Sequence, residues 1–298
     1  MADLDLRKLR YFVTLGQELN FGRAAARLHV AQPVLSRQIA ALERELGVQL
    51  FERSTAGTRL TDAGSLLLGE AELTLSNSVA LMRRARQLGR GEQRFTIAFM
   101  PGIIVTPLSR ALSDRFDGLT IDVLRVEWDT QATVLHDGSA DVSIMRLPVD
   151  TRGLSALPLF SEARLVALPA GHALASLDSV TVDDLARFDL LQDPDAVPEW
   201  RDAARRLRPG ALTRDRSGLP VVNTVEAKLE HVAAGRGLVV LPRSTADYYT
   251  RPDVVYREVV DLPPGEVVIG FAAGRTTPQI EAALQLARRV LVAPADVS

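Results

Sequence analysis

Two apolar stripes at helical spacing, on helices joined by a three-residue connection, constrain the start of this chain more than any other feature. Phe21, Ala24, Ala25 and Leu28 fall at i, i+3, i+4 and i+7. His29-Val30-Ala31 follows as a tight connection, and Leu35, Ile39, Leu42 and Leu46 form the second stripe. Helices this short are marginal alone in water and must bury their stripes against each other. A preceding stripe of Leu6, Leu9, Phe12, Val13 and Gly16 supplies the third surface. Asn20 is placed to cap the second helix, Pro33 sits where a missing N–H costs nothing, and Gly47 suits a helix stop. Two short helices, a turn and an inward-facing second helix describe a helix-turn-helix.

The opposite face of the third helix carries the chemistry. Gln32, Pro33, Ser36, Arg37, Gln38 and Arg44 project away from the apolar stripe. Glutamine pairs bidentately with adenine, arginine with guanine, and Ser or Arg holds phosphate. The competing reading is a solvated helix face, and the adjoining turn favours the DNA reading. Short extended runs around Ser54-Thr55-Ala56-Gly57 form a hairpin, or wing, placing Arg53 and Arg59 near a backbone or minor groove. The candidate DNA contacts are Gln32, Pro33, Ser36, Arg37, Gln38 and Arg53. Charge agrees weakly: the chain is −2 overall, but residues 1–60 hold nine basic and six acidic side chains, +3, leaving −5 for the rest.

Thr61 is placed to cap a long helix in which Leu68, Leu75 and Met82 recur every seven residues, as do Ala71, Ser78 and Ala85. Leu67, Leu81 and Leu88 flank that seam. A heptad seam argues for helix pairing; packing on the protein's own body is the alternative.

Beyond it, strands over 95–100, 119–128 and 140–145 alternate with helices over 107–116 and 130–136, a β-α-β-α-β order that implies parallel strands. A second α/β run follows: a strand from Arg164 to Pro169, helices near 181–187, 198–208 and 225–234, and a strand at 238–241. An apolar segment over 267–272 and a helix over 279–291 end the sequence. Two α/β halves place a ligand between them, at strand C-termini and helix N-termini. The residues there are Met100, Pro101, Gly102, Ile103, Thr130, Arg146, Thr224 and Val225, with Trp128 and Asp129 beside Thr130 and Asn223 beside Thr224. Free N–H groups, threonine hydroxyls and one arginine suit a carboxylate. Taken singly, Thr130 and Thr224 are at minimum helix caps, and Arg146 is as well suited to a surface or interdomain salt bridge.

Other classes find little support. There is no cysteine, so thiolate metal sites, disulfides and cysteine switches are excluded, and the four histidines form no helical ligand pair. No Gly-x-Ser-x-Gly elbow, phosphate loop or GxGxxG is present, so neither catalysis nor a cofactor is expected. A transporter's solute-binding protein would share the two-halved domain, but the charged first residues predict no secretory leader and the basic helical head argues against it. No apolar run reaches the roughly 18 residues of a membrane span, so a cytoplasmic protein without membrane partners is expected.

At this point the sequence resembles the LysR-type transcriptional regulators. The match is ungapped over residues 4–64, through Leu9-Arg10-Tyr11-Phe12, NFGRAAARLHVAQPVLSRQIAALERELGVQLFER (20–53) and LTDAG (60–64). It is looser through ADVSIMR (140–146), LPAGHALA (168–175) and AAGRGLVVLP (233–242). The resemblance implies an α/β chain in three parts. Residues 1–61 form a winged helix-turn-helix, 62–91 a linker helix that dimerises, and 92–298 a two-subdomain effector domain like periplasmic binding proteins. Its subdomains would span 92–163 with 267–298, and 164–266. The implied partners are double-stranded DNA, an organic-acid effector, RNA polymerase, and further copies of the chain in a homodimer or homotetramer. In the family's pattern, Gln32, Pro33, Ser36 and Arg37 fall on recognition-helix contacts, Arg53 on a wing contact, and Gly102, Thr130 and Arg146 on effector contacts. Two positions depart from it: Gly102 where Ser or Thr is frequent, and Ala56 where a basic residue is frequent. One effector hydroxyl and one wing phosphate contact are thereby missing.

Overall fold

The computed structural model describes residues 4–54, 57–89, 93–210 and 224–291. The expectations attached to Ala56 and Asn223 lie outside these residues. The chain divides into two compact units, residues 1–90 with 136–138, and residues 91–135 with 139–298.

The first unit is built as its periodicity predicts. Helices α1 (Leu6–Glu18), α2 (Phe21–Arg27) and α3 (Gln32–Leu46) pack around Leu9, Phe12, Leu15, Ala24, Leu35, Ile39 and Leu42. Asp5 caps α1 by accepting from Arg7 N at 2.8 Å, and Asn20 caps α2 by accepting from Arg23 N at 3.0 Å. The turn between α2 and α3 passes through His29 at φ 54, and Gly47, at φ 71, stops α3. Strands β1 (Phe51–Ser54) and β2 (Gly57–Leu60) form the antiparallel wing. Glu43 on α3 holds its base, accepting from Leu50 N and Phe51 N, and Phe51 meets Phe12 edge to face.

Helix α4 (Asp62–Gly89) begins at Thr61, whose Oγ1 accepts from Gly64 N at 2.9 Å. Its heptad seam divides. Leu67, Leu68 and Leu75 pack on the helix-turn-helix core, as the alternative reading held, whereas Leu81 and Met82 are exposed. The seven-residue repeat therefore serves the core of its own unit in its first half and leaves apolar surface bare in its second.

The second unit contains two sheets. The first has strand order β4-β3-β5-β11-β6, from β3 (Arg94–Phe99), β4 (Thr120–Arg125), β5 (Val142–Arg146), β6 (Leu154–Glu162) and β11 (Gly265–Ala272). Strands β4, β3 and β5 are parallel, the β-α-β-α-β unit read from sequence, with crossovers through α5 (Thr106–Arg115) and α6 (Thr133–His136). Strand β5 is buried along its whole length, Ser143 and Arg146 included, which accounts for a largely apolar run rather than an alternating one. The expected order did not include β6. Its Pro158 lies at a bulge, where the register with β11 shifts between Val267 and Val268, and β6 is an edge strand, the setting in which a sheet tolerates proline.

The second sheet, β8-β10-β7-β9, comprises β7 (Arg164–Pro169), β8 (Ser179–Val180), β9 (Val239–Pro242) and β10 (Val254–Val259). It packs against α7 (Val182–Leu185), α8 (Pro198–Leu207) and α9 (Val225–Ala233); α10 (Arg243–Tyr248) follows β9 directly. Trp200 of α8 is fully buried, and its indole N–H donates to Leu185 O at 3.1 Å. Helix α11 (Pro278–Val290) returns to the first sheet's core through Ile280, Ala283 and Ala287. The chain crosses between sheets twice, at Glu162–Arg164 and just before Gly265. The crossings are tied where Arg164 Nε donates to Pro263 O at 2.9 Å.

Candidate functional sites: a recognition helix and an inter-sheet cleft

On α3, Gln32, Pro33 and Arg37 are exposed, Ser36 is half-buried, and Arg37 Nε donates to Pro33 O at 3.3 Å. The outer edge of the helix therefore carries a guanidinium laid back toward its N-terminus. Gln38 is turned further in: its Oε1 is enclosed and without a hydrogen-bond partner among the described residues. Arg53 is placed by backbone alone, opposite Thr58 in the wing, and Arg59 pairs with Glu52 at 2.8 Å.

Within the second unit, the two sheets enclose a cleft of ≈ 590 Å³. Its walls are mostly apolar, with Met100 and Leu147 from one side and Leu191, Val225, Val240 and Leu241 from the other. Trp128, 39 % exposed, supplies an aromatic face. A cleft of this size and lining suits a small organic molecule held by apolar contact and a few polar groups.

Four of the expected effector residues line it: Met100, Pro101, Arg146 and Val225. The other four are used elsewhere. Ile103 belongs to the first sheet's core. Gly102, at φ +84, lies against α10, where an added Cβ would stand 2.5 Å from Thr245 Cα. Thr130 closes its own turn, its Oγ1 accepting from Glu127 N at 3.0 Å, and Thr224 caps α9 through Ala227 N at 3.2 Å.

Arg146 lines the cleft but its guanidinium is spoken for, which changes the expected carboxylate clamp. Nε donates to Glu162 Oε1 at 3.1 Å, Nη1 to Pro101 O at 3.0 Å and Nη2 to Ser244 Oγ at 2.8 Å. Glu162 accepts from Ser244 N through its other oxygen at 2.8 Å. The protein's own carboxylate thus occupies the position read for a ligand's, and the salt bridge is the reading the geometry bears. Burial pulls the Arg146 pKa below its ordinary value, while the charge of Glu162 opposes the shift. Thr245 Oγ1 also donates to Pro101 O, so the loop after β3 is fastened to the start of α10.

Sequence reasoning missed Lys228, Glu127, Glu162 and Arg164 among the lining residues. Lys228 lies one helical turn after Val225 and shares its face, a signal available from spacing. Glu127 pairs with Arg125 at 2.9 Å, and burial raises its pKa despite that cation. Arg164 is bound to Glu199 at 2.8 Å.

A winged helix-turn-helix and an α/β unit with a ligand-sized cleft, carried on one chain, define a one-component regulator: a DNA reader with its own small-molecule domain. Comparison with known proteins makes the class specific. Residues 6–65 match the bacterial regulatory helix-turn-helix protein model of the lysR family, and residues 88–292 match the LysR substrate binding domain. The Escherichia coli regulator XapR is 32 % identical over 92 % of this chain and 94 % of its own length. The Cupriavidus pinatubonensis regulator TfdS is 32 % identical over 96 % of this chain and 98 % of its own. The solved structure of CbnR, a LysR family transcriptional regulator, shares the fold at a TM-score of 0.57 and 24 % identity, covering 97 % of this chain and 100 % of that one. CbnR has also been solved with its target DNA. The chain belongs to the LysR family: it is a DNA-binding transcriptional regulator with an effector-binding domain, and not an enzyme. Among the described residues no helix is long and apolar enough to cross a membrane.

Proposed function

We propose that this regulator binds an organic-acid effector in the inter-sheet cleft and that occupancy changes its hold on promoter DNA. The observation that carries the reading is the cleft itself: ligand-sized, largely apolar, with an aromatic face and few uncommitted polar groups. DNA contact falls to Gln32, Pro33, Ser36, Arg37 and Gln38 on α3 and to Arg53 on the wing. In the cleft, Met100, Pro101, Trp128 and Val225 contact the effector. Gly102, Ile103, Thr130 and Thr224 hold the cleft's loops and helix starts in place, and Arg146 braces its floor. The protein acts in the cytoplasm as a homodimer or homotetramer, with RNA polymerase as its partner at the promoter. Coupling needs the effector to bind one arrangement of the protein more tightly than another, since equal affinity for both shifts nothing.

The test is gel retardation of the DNA flanking the regulator's own gene, with and without small organic acids. Specific retardation is expected, altered by an acid that also changes Trp128 fluorescence. Absence of specific retardation under every condition overturns the reading.

A further inference from the structure

The cleft's charges are unevenly spent. Its lining cations are Arg146, Arg164 and Lys228. The first two are bound to Glu162 and Glu199. The Lys228 ammonium has neither a hydrogen bond nor an ion pair within 4.0 Å among the described residues. It is one of two lysines in the chain, Lys8 being the other. Lys8 is paired with Glu45. An ammonium drawn from water without a partner is a cost that folding alone does not repay.

The surroundings of that ammonium are specific. Glu127 and Asp129, both lining the cleft, are the carboxylates whose fields reach Lys228. Neither closes to a salt bridge with it: Glu127 is held by Arg125, and Asp129 has no ion pair or hydrogen bond among the described residues. Trp128 stands between these two acids in sequence and lends its face to the same cavity. One unpaired positive charge therefore lies within the fields of two carboxylates, Asp129 unpaired and Glu127 held by Arg125, beside an aromatic surface.

We propose that the effector is a monoanionic organic acid, its single carboxylate on Lys228 Nζ and its apolar body against Trp128, and that Glu127 and Asp129 reject ligands carrying a second negative charge. This rests on the cleft being the effector site. One carboxylate satisfies the unpaired ammonium. A second enters the field of two acids that line the same cleft, where like charges repel in a partly desolvated site. Phosphate esters and dicarboxylates are excluded on the same ground. A neutral isostere leaves the ammonium unpaired. Consistent with this, burial lowers the Lys228 pKa, while Glu127 and Asp129 work to keep it charged.

With so few lysines the ammonium can be watched directly. The full-length protein, reductively methylated with carbon-13 formaldehyde, gives one signal for each lysine, and Lys228→Gln identifies that of Lys228. Phenylacetate, phenylmalonate and phenylacetamide differ in little but charge. Phenylacetate should move the Lys228 signal and leave Lys8 still, with phenylmalonate and phenylacetamide weaker by about tenfold or more. Asp129→Asn, a change at an exposed residue, should narrow the gap between the two acids. The proposal is overturned if phenylmalonate binds as well as phenylacetate, if phenylacetamide does, or if neither acid moves the Lys228 signal at millimolar concentration. Any of these leaves the regulator reading standing. That reading falls separately, on the absence of specific promoter retardation.

Discussion

Arg146 and Glu162 form a salt bridge whose side chains are 6 % and 1 % exposed, and each holds Ser244 as well, the arginine at its hydroxyl and the glutamate at its backbone N–H. Arg146 ends β5 and Glu162 ends β6 in the first sheet, whereas Ser244 opens α10 beside the second. The pair is therefore a brace from one sheet to the other across the floor of the cleft. Buried ion pairs add little net stability over apolar packing, yet losing one partner strands the other's charge.

That asymmetry gives the first prediction. Arg146→Met alone should cost about 3–5 kcal/mol in urea unfolding, because Glu162 is left buried and uncompensated. Arg146→Met with Glu162→Gln should recover a large part of the loss. A double variant as unstable as the sum of the single ones would show that the two residues are not coupled.

A second prediction follows from the loop that Arg146 grips. Gly102 combines a positive φ of +84 with backbone contact to α10, where a Cβ would lie 2.5 Å from Thr245 Cα and 2.6 Å from Thr245 N. No flexible side chain can yield there. Gly102→Ala should destabilise by about 1–3 kcal/mol from backbone strain, before any cost of displacing α10. Restoring the serine or threonine frequent in the family at this position should do the same rather than add an effector contact. A thermal unfolding midpoint equal to wild type would contradict the placement of this loop.

The third concerns Lys228 in the ligand-free protein. Its folded pKa lies below the ordinary 10.5, so folding disfavours the charged form. The penalty is fully present below the folded pKa and fades as pH rises through that value toward 10.5. Lys228→Met should therefore raise the unfolding midpoint at neutral pH by about 2 °C, and the advantage should shrink in alkaline buffer. A variant less stable than wild type at neutral pH would mean that the ammonium has found a partner in the free protein.

How much of this was legible in the sequence depends on distance along the chain. The α2–α3 turn was, because its stripe, cap and stop are local: Phe21 to Leu28, Asn20 and Gly47 each act within a few residues. Strand β5 was, because burial on both faces leaves a largely apolar run, interrupted at Ser143. Strand β6 was obscured by Pro158, which reads as a strand breaker until a bulge and an open edge accommodate it. The heptad on α4 argues for helix pairing, with the protein's own body as the alternative. Spacing alone does not separate them, since a seven-residue repeat is the same whether the partner is another copy or the helix's own unit. A salt bridge at Arg146 was legible as one of two readings, but its partners were not: they lie 16 residues away at Glu162 and 98 away at Ser244, and no periodicity links them. Lys228 carried a signal, one turn from Val225, but a lone lysine on a helix is ordinarily a solvated one.

The last prediction concerns Arg37, exposed on α3 with its Nε on Pro33 O. That bond holds the side chain along the helix while the terminal nitrogens remain able to reach a base edge or a phosphate, and the two roles separate by measurement. If Arg37 reads a base, Arg37→Ala should weaken operator binding by about 1–3 kcal/mol and relax sequence preference at one position. If it binds phosphate, specific and nonspecific DNA should lose affinity alike, and the slope of log K against log salt should fall by about one unit. The base role is expected, because residues near the N-terminus of a recognition helix are the ones that reach into the major groove. Gel retardation at several salt concentrations, on operator and on scrambled DNA, distinguishes them, and unchanged affinity for both removes Arg37 from the interface.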